Sequence, residues 1–184
     1  LLHIIKIFKD KNIINNNSSA IKNALQQMYL KSYSNDPTME DIYSSFLSIN
    51  NSFDRVYGGI GSSPKFPMVP LLRALFSNTL LANKLNSDSL KNIKNTLTSI
   101  CLGGIYDHVG GGFSRYSTDD SWFVPHFEKM LYDNAQLIEA LSILFLLDPK
   151  PLYKDRIEKT FFWLSSQMKE DKKSFSAYFS AIDA

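Results

Sequence analysis

The chain has a single cysteine, Cys101, and that scarcity removes several chemistries at once. An internal disulfide is ruled out, and no Cys/His spacing of the structural-zinc kind occurs. Cys101 falls on the apolar face of a helical pattern and reads as core. A chain without disulfides fits a reducing compartment, so the cytoplasm is the expected location. An excess of one charge is lacking too: 20 basic and 18 acidic side chains are mixed along the chain, for a net charge of +2. No basic stripe tracks a phosphate backbone, so nucleic acid is not an expected partner. Long apolar runs are also missing. Leu137 to Leu147 is interrupted by Glu139 and stops at Asp148-Pro149, short of a membrane span. Leu1 to Phe8 is apolar, but Lys6 interrupts it and no signal-peptide cleavage pattern follows.

What is present is enough for a globular core: 44% of residues are hydrophobic and 13% aromatic. Residues 1–35 read as connector helices around Asn15-Asn16-Asn17, with Ser18 or Ser19 capping a helix from Ala20 to about Lys31. From Thr38 the pattern becomes regular. Met39, Ile42, Tyr43, Phe46, Ile49, Phe53 and Val56 recur at helical steps, with Thr38 and Asp41 at the start and Gly58-Gly59 at the end. A second helix is expected over 70–82. A third follows Ser87-Asp88, buries Leu90, Ile93, Leu97, Ile100 and Cys101, and ends at Gly103-Gly104. A fourth opens with Pro125 in its first turn and runs to Leu147, and a fifth covers 152–168 after the Pro149 and Pro151 stop. Residues 174–184 read as extended or irregular. Gly58-Gly59-Ile60 and Gly103-Gly104-Ile105 look like one repeated helix-ending signal, so the expected fold is all-α, built of stacked helical hairpins. If helices alternate up and down, loops 58–67, 103–126 and 171–184 emerge at one end and form one rim.

The rim is where chemistry is expected. Residues 103–134 are dense in reactive groups, and a loop longer than about 15 residues is usually functional when rich in aromatics. Gly110-Gly111-Gly112 lacks the Gly-Lys-Ser/Thr of a phosphate loop, and no strand-borne dinucleotide fingerprint is present, so no cofactor is expected. His126-Phe127-Glu128 lacks the cysteine pair of a zinc deaminase, and no His-Glu-x-x-His occurs, so no metal is assigned. Neither Ser114 nor Ser117 sits on a nucleophile elbow.

General acid–base chemistry remains. His108, His126, Asp107 and Glu128 are the catalytic candidates, with His126 and Glu128 at an expected helix start whose dipole would tune the imidazole. Arg115 offers a fork for a hydroxyl pair or carboxylate, and Tyr116, Trp122 and Tyr132 are candidate platforms for a sugar ring. Asn134 is expected to point inward about 12 Å along the helix from His126. Lys65, in Ser62-Ser63-Pro64-Lys65-Phe66-Pro67, completes the binding candidates as a cation on a rigid loop. Asp133, four residues after Lys129, reads as part of a solvated edge.

Three stretches carry a family resemblance: Gly58 to Pro67, Gly103 to Asp119, and Trp122 to Gln136. Together they resemble the YyaL or spermatogenesis-associated thioredoxin-like family over about residues 38–184. Ser176 to Ala184 is similar to that family's next motif. The resemblance implies a thioredoxin-like domain ahead of this chain, with residues 1–35 as the joint. It also implies that residues 36–184 form the first half of an (α/α)6 toroid of the six-hairpin-glycosidase kind, related to N-acylglucosamine 2-epimerases. Truncation at both ends is therefore expected. Ser114 stands where many relatives carry histidine, and Lys172-Lys173 replaces a glycine pair. The implied ligand is sugar-like, with either epimerase or glycosidase chemistry. The competing expectation is a non-catalytic binding or redox-partner module serving the thioredoxin-like domain.

Overall fold

A computed structural model of the chain describes residues 11–30, 36–81, 87–172 and 175–183. Residues 1–10 and 31–35 of the expected connector lie outside the described residues, as do Ala82, Ser174 and Ala184. Two compact units are present, residues 1–42 and 43–184. The first contains helix α1 (Lys11–Leu30), which runs straight through Asn15-Asn16-Asn17. The separate helix expected from Ala20 is absent because asparagine and serine cost a helix only a few tenths of a kcal/mol each relative to better formers, too little to divide a run of 20 residues.

Helix α2 (Met39–Asn51) starts as expected. The Thr38 hydroxyl accepts the Asp41 N–H (3.2 Å), and the Asp41 carboxylate accepts the Thr38 N–H (2.8 Å). It ends earlier than the glycines. Asp54 takes the N–H groups of Val56 and Tyr57 (2.8 and 3.0 Å), and this local turn replaces another helical turn. Helices α3 (Val69–Leu81), α4 (Ser87–Leu102), α5 (Leu131–Leu147) and α6 (Pro151–Trp163) follow, α6 passing into a π-type turn over Leu164–Met168. Within the larger unit α3 packs on α4 and on α5, and α6 packs on α5 and on α4, giving two layers. Leu72, Leu75, Phe76, Ile93, Leu97, Ile100, Leu137, Leu141, Leu144 and Tyr153 are buried between them. Cys101 is in this core, where burial pushes its thiol up to about 12.

One expected helix start fails. Pro125 is not in a first turn, because α5 begins only at Leu131. Residues 124–130 are not helical, and several of their backbone groups pair with neighbouring segments. His126 N–H bonds Tyr116 O (2.9 Å), and Arg115 N–H bonds Glu128 O (2.7 Å). Strand β1 (Glu128–Met130) pairs antiparallel with β4 (Ala181–Asp183), and β2 (Lys169–Lys172) with β3 (Phe175–Tyr178). Lys65 pairs with Ser117, and Ser117 with Pro125. Of the three segments expected to share one end, 58–67 and 103–126 pair directly, and the third is joined to them through β1, which bonds β4 on one side and Arg115 on the other.

Candidate functional site

Two glycine loops build the end of the larger unit on one plan. In the first, Phe53 pairs with Ile60, Asp54 N–H bonds Gly59 O, and Gly58 N–H bonds Asp54 O. In the second, Tyr106 pairs with Phe113, Asp107 N–H bonds Gly112 O, and Gly111 N–H bonds Asp107 O. Gly58, Gly59, Gly111 and Gly112 all have φ between 72° and 84°, the left-handed region where a side chain is strained. The true counterpart of Gly58-Gly59 is therefore Gly111-Gly112, which corrects the repeat read from Gly103-Gly104. That pair makes room for the chain at Trp122 and Phe123, whose carbonyl oxygens would lie 2.6 and 2.1 Å from added Cβ atoms.

Each loop is clamped by a buried lysine. Lys65, fully buried, gives Nζ–H bonds to Asp54 Oδ2 (2.7 Å) and Asp120 O (2.9 Å), and lies 5.2 Å from the Trp122 ring centre. Lys129, 3% exposed, bonds Asp107 Oδ2 (2.7 Å) and Gly111 O (3.0 Å), and lies 5.0 Å from the Trp163 ring centre. Burial pushes the Asp54 and Asp107 carboxyls up. Lysine and two backbone N–H groups outweigh it in each case and hold both below the usual range.

Several expected site residues are thereby assigned to structure. Lys65 is not an exposed cation, because all of its charge is spent inside the first clamp. Trp122 cannot stack on a sugar: it is fully buried, its Nε1–H bonds Tyr57 O (2.9 Å), and its φ of 66° is held by that burial. Asp107 belongs to the second clamp. It cannot act with Glu128, since Lys129 and Glu128 are consecutive in β1 and project to opposite faces. Lys129 and Asp133 do not pair at a solvated edge, because Lys129 is committed to Asp107. Asn134 is fully buried and bridges the second loop to α5. It accepts the Phe113 N–H (2.7 Å) and donates to Phe113 O and Met130 O, both at 2.9 Å. His108 is exposed, with Nε2 3.0 Å from Gly103 O and Nδ1 3.3 Å from Arg156 Nη2.

The remaining candidates come together. Extended pairing sets Tyr116 beside His126, and their rings stack at 4.6 Å and 17°. Phe66 adds a third ring 4.8 Å from Tyr116, in a column across the three extended segments. Arg115 Nη1–H bonds Glu128 Oε2 (3.1 Å), and His126 Nδ1 lies 4.0 Å from that oxygen. The next turn of chain, at the start of α5, brings Tyr132 and Asp133 within electrostatic range of Arg115. His126 and Glu128 precede α5, so the helix-dipole tuning expected for His126 does not apply. Asp133, unexpected as a site residue, is the most perturbed group of the cluster. Burial raises its carboxyl to about 6, against the lowering effect of Arg115 and with a further push from Glu128. Among the described residues no group of three His, Cys, Asp or Glu side chains is arranged to hold a metal ion, and no helix is long and apolar enough to cross a membrane.

No protein-family model matches the chain. It is 46% identical over 113 residues to human spermatogenesis-associated protein 20, and 42% identical to the mouse protein over the same length, 60% of this chain in each case. Over these residues the chain is similar to spermatogenesis-associated protein 20. It spans 14% of the length of those relatives. The solved structure of a sugar epimerase from a ruminal bacterium is similar at a TM-score of 0.59 and 17% identity, covering 75% of this chain and 37% of that one. Cellobiose 2-epimerase from Spirochaeta thermophila is similar at 0.58 and 18%, covering 82% and 41%. At such identities the likeness is one of fold: the chain shares part of an α/α toroid with the epimerases.

Proposed function

We propose that the cluster of Arg115, Tyr116, His126, Glu128, Tyr132 and Asp133, with Phe66, is a carbohydrate site performing acid–base chemistry of the epimerase kind. The observation that carries this reading is Asp133. Burial raises its carboxyl to about 6, while nearby Glu128 is paired with Arg115 and lies 4.0 Å from the exposed His126 imidazole. Two carboxylates whose surroundings differ in this way divide naturally into an exchangeable acid and a fixed charge. The Phe66–Tyr116–His126 column offers a flat apolar face to a sugar ring, and Arg115 offers donors to its hydroxyls. Epimerisation moves a proton off one face of a carbon and onto the other, so it needs two proton carriers, here Asp133 and His126. That the proteins sharing the fold include sugar epimerases supports the same chemistry.

The test combines binding with exchange. Thermal unfolding of the chain and of His126→Ala is followed with free sugars, amino sugars and their phosphates. The sugar that raises the melting point is then incubated with protein in D2O. The expected result is a shift in the intact chain that His126→Ala loses, and deuterium uptake at a ring carbon. Folded protein with no shift across the panel would sink the reading. A shift without exchange would support a non-catalytic binding role; in support of that role, His108 is tied to Gly103 O and Arg156, which leaves His126 as the one imidazole at the rim among the described residues.

A further inference from the structure

Each glycine loop also forms one wall of a groove against the outer-facing stripe of a helix, and the two grooves differ in chemistry. Beside the second loop, Val109, Gly110 and Gly111 face Glu158, Lys159 and Phe162 of α6, a lining of one acid, one base and apolar surface. Beside the first loop, Arg55 faces Lys91, Asn92, Lys94, Asn95 and Thr98 of α4 around a cavity of about 370 Å³. Lys91, Lys94, Asn95 and Thr98 follow the spacing that places side chains on one helix face. The same architecture thus makes both grooves, while the basic lining belongs to the first alone.

Arg55 is held in place from below. Its Nη1–H bonds Asn92 Oδ1 (2.8 Å) and its Nη2–H bonds Asn50 O (3.2 Å). Asn92 and Asn50 are both 4% exposed and bond each other (3.2 Å), and Asn50 also bonds Ser89. This buried polar network fixes the guanidinium with other donors of its five still free to meet a ligand. Among the described residues no carboxylate pairs with Arg55 or Lys91. Lys94 is matched by Asp148 (2.6 Å), so Arg55 and Lys91 stand as two uncompensated cations on facing walls.

We propose that this groove is an anion site for a phosphate group, free or carried as a small phosphomonoester. Two unmatched positive charges fit a group of about −1.5 to −2 at neutral pH better than a single carboxylate, and a fixed fork opposite a point charge suits its several acceptor oxygens. The site shares no residue with the rim cluster, so it stands or falls separately from the carbohydrate reading.

The test is calorimetric titration of the 184-residue chain with inorganic phosphate and with glycerol 3-phosphate, against sodium chloride at matched ionic strength. Saturable binding above the chloride control is expected. Lys91→Gln should weaken it about fivefold and Arg55→Gln about tenfold, corresponding to one lost charged contact each. Lys159→Gln, in the second groove, should change nothing. Lys91 makes no hydrogen bond among the described residues, so its variant tests the site without disturbing the Asn50–Asn92 network. A tighter fit for the ester would identify a metabolite groove, and equal affinity a phosphate-ion site. Heat no greater than chloride gives, binding indifferent to both Arg55→Gln and Lys91→Gln, or equal loss in Lys159→Gln would overturn the proposal.

Discussion

The two glycine loops of the larger unit use the same backbone bonds, the same left-handed glycine pair and the same lysine–aspartate–tryptophan clamp, yet they present different side chains. Where the first loop has Arg55, bonded back to Asn50 O, the second has His108, near Gly103 O. Arg55 reaches Asn92 on α4, and His108 meets Arg156 on α6. Hydrogen bonding and close backbone approach dictate the aspartate, the glycines and the lysine, because nothing else fits. The residue after the aspartate points outward and is free to differ. The comparison separates what holds this fold from what gives each loop its chemistry, and it places Asp107 and Lys129 with the former despite their setting among reactive groups.

The largest effects test whether the loops are equivalent. Gly58→Ala would bring a Cβ within 2.5 Å of the Thr96 Cα, and Gly111→Ala within 2.7 Å of Lys159 O, each at a φ that L-residues avoid. Each variant should lose roughly 3 kcal/mol or more in urea unfolding. A loss under about 1 kcal/mol in either would show that its loop can move off its helix. Next come the clamps. Lys65→Met and Lys129→Met each strand a carboxylate, but one kept partly wet and still holding two backbone N–H groups. A loss of about 2–3 kcal/mol is expected for both, within about 1 kcal/mol of each other. Strongly unequal losses would break the parallel between the clamps.

The smallest effect contrasts a braced carboxylate with the rim carboxylate. Asp107 is held below the usual range and Asp133 is raised to about 6. Folded Asp133 binds more protons than unfolded Asp133 between about pH 4 and 6, so its contribution to stability falls as pH rises through that window and stays unfavourable above it. Asp133→Asn should therefore stabilise the chain above pH 6, on the order of 1 kcal/mol once partial solvation is allowed for, and have little effect near pH 4. Chemical denaturation at pH 4 and pH 7.5 measures the difference. A variant no more stable at pH 7.5 than the parent would remove the argument that burial perturbs this group.

Much of the helical frame was legible in the residues. Leu90, Ile93, Leu97 and Ile100 recur at a spacing that only a helix turns to one side, and Pro149 and Pro151 stop α5 before α6. The meeting of three loops at one end followed from alternating helices. Arg115, Tyr116, His126, Glu128 and Tyr132 could be picked by type and neighbourhood. Phe66 carried a signal in its Pro-Lys-Phe-Pro setting, whereas Asp133 carried a misleading one, since its spacing from Lys129 imitates a surface pair.

Local spacing and residue chemistry determined the helices, the turn glycines and the zone where reactive groups concentrate, because these depend on a few neighbouring residues. Tertiary structure alone decided which charges are spent and which remain available. Lys65 and Lys129 are consumed by aspartates far along the chain, Trp122 vanishes beneath Gly59, and Pro125 yields to strand pairing. A side chain's availability depends on burial and on distant partners, and neither is encoded in the spacing of residues along the chain.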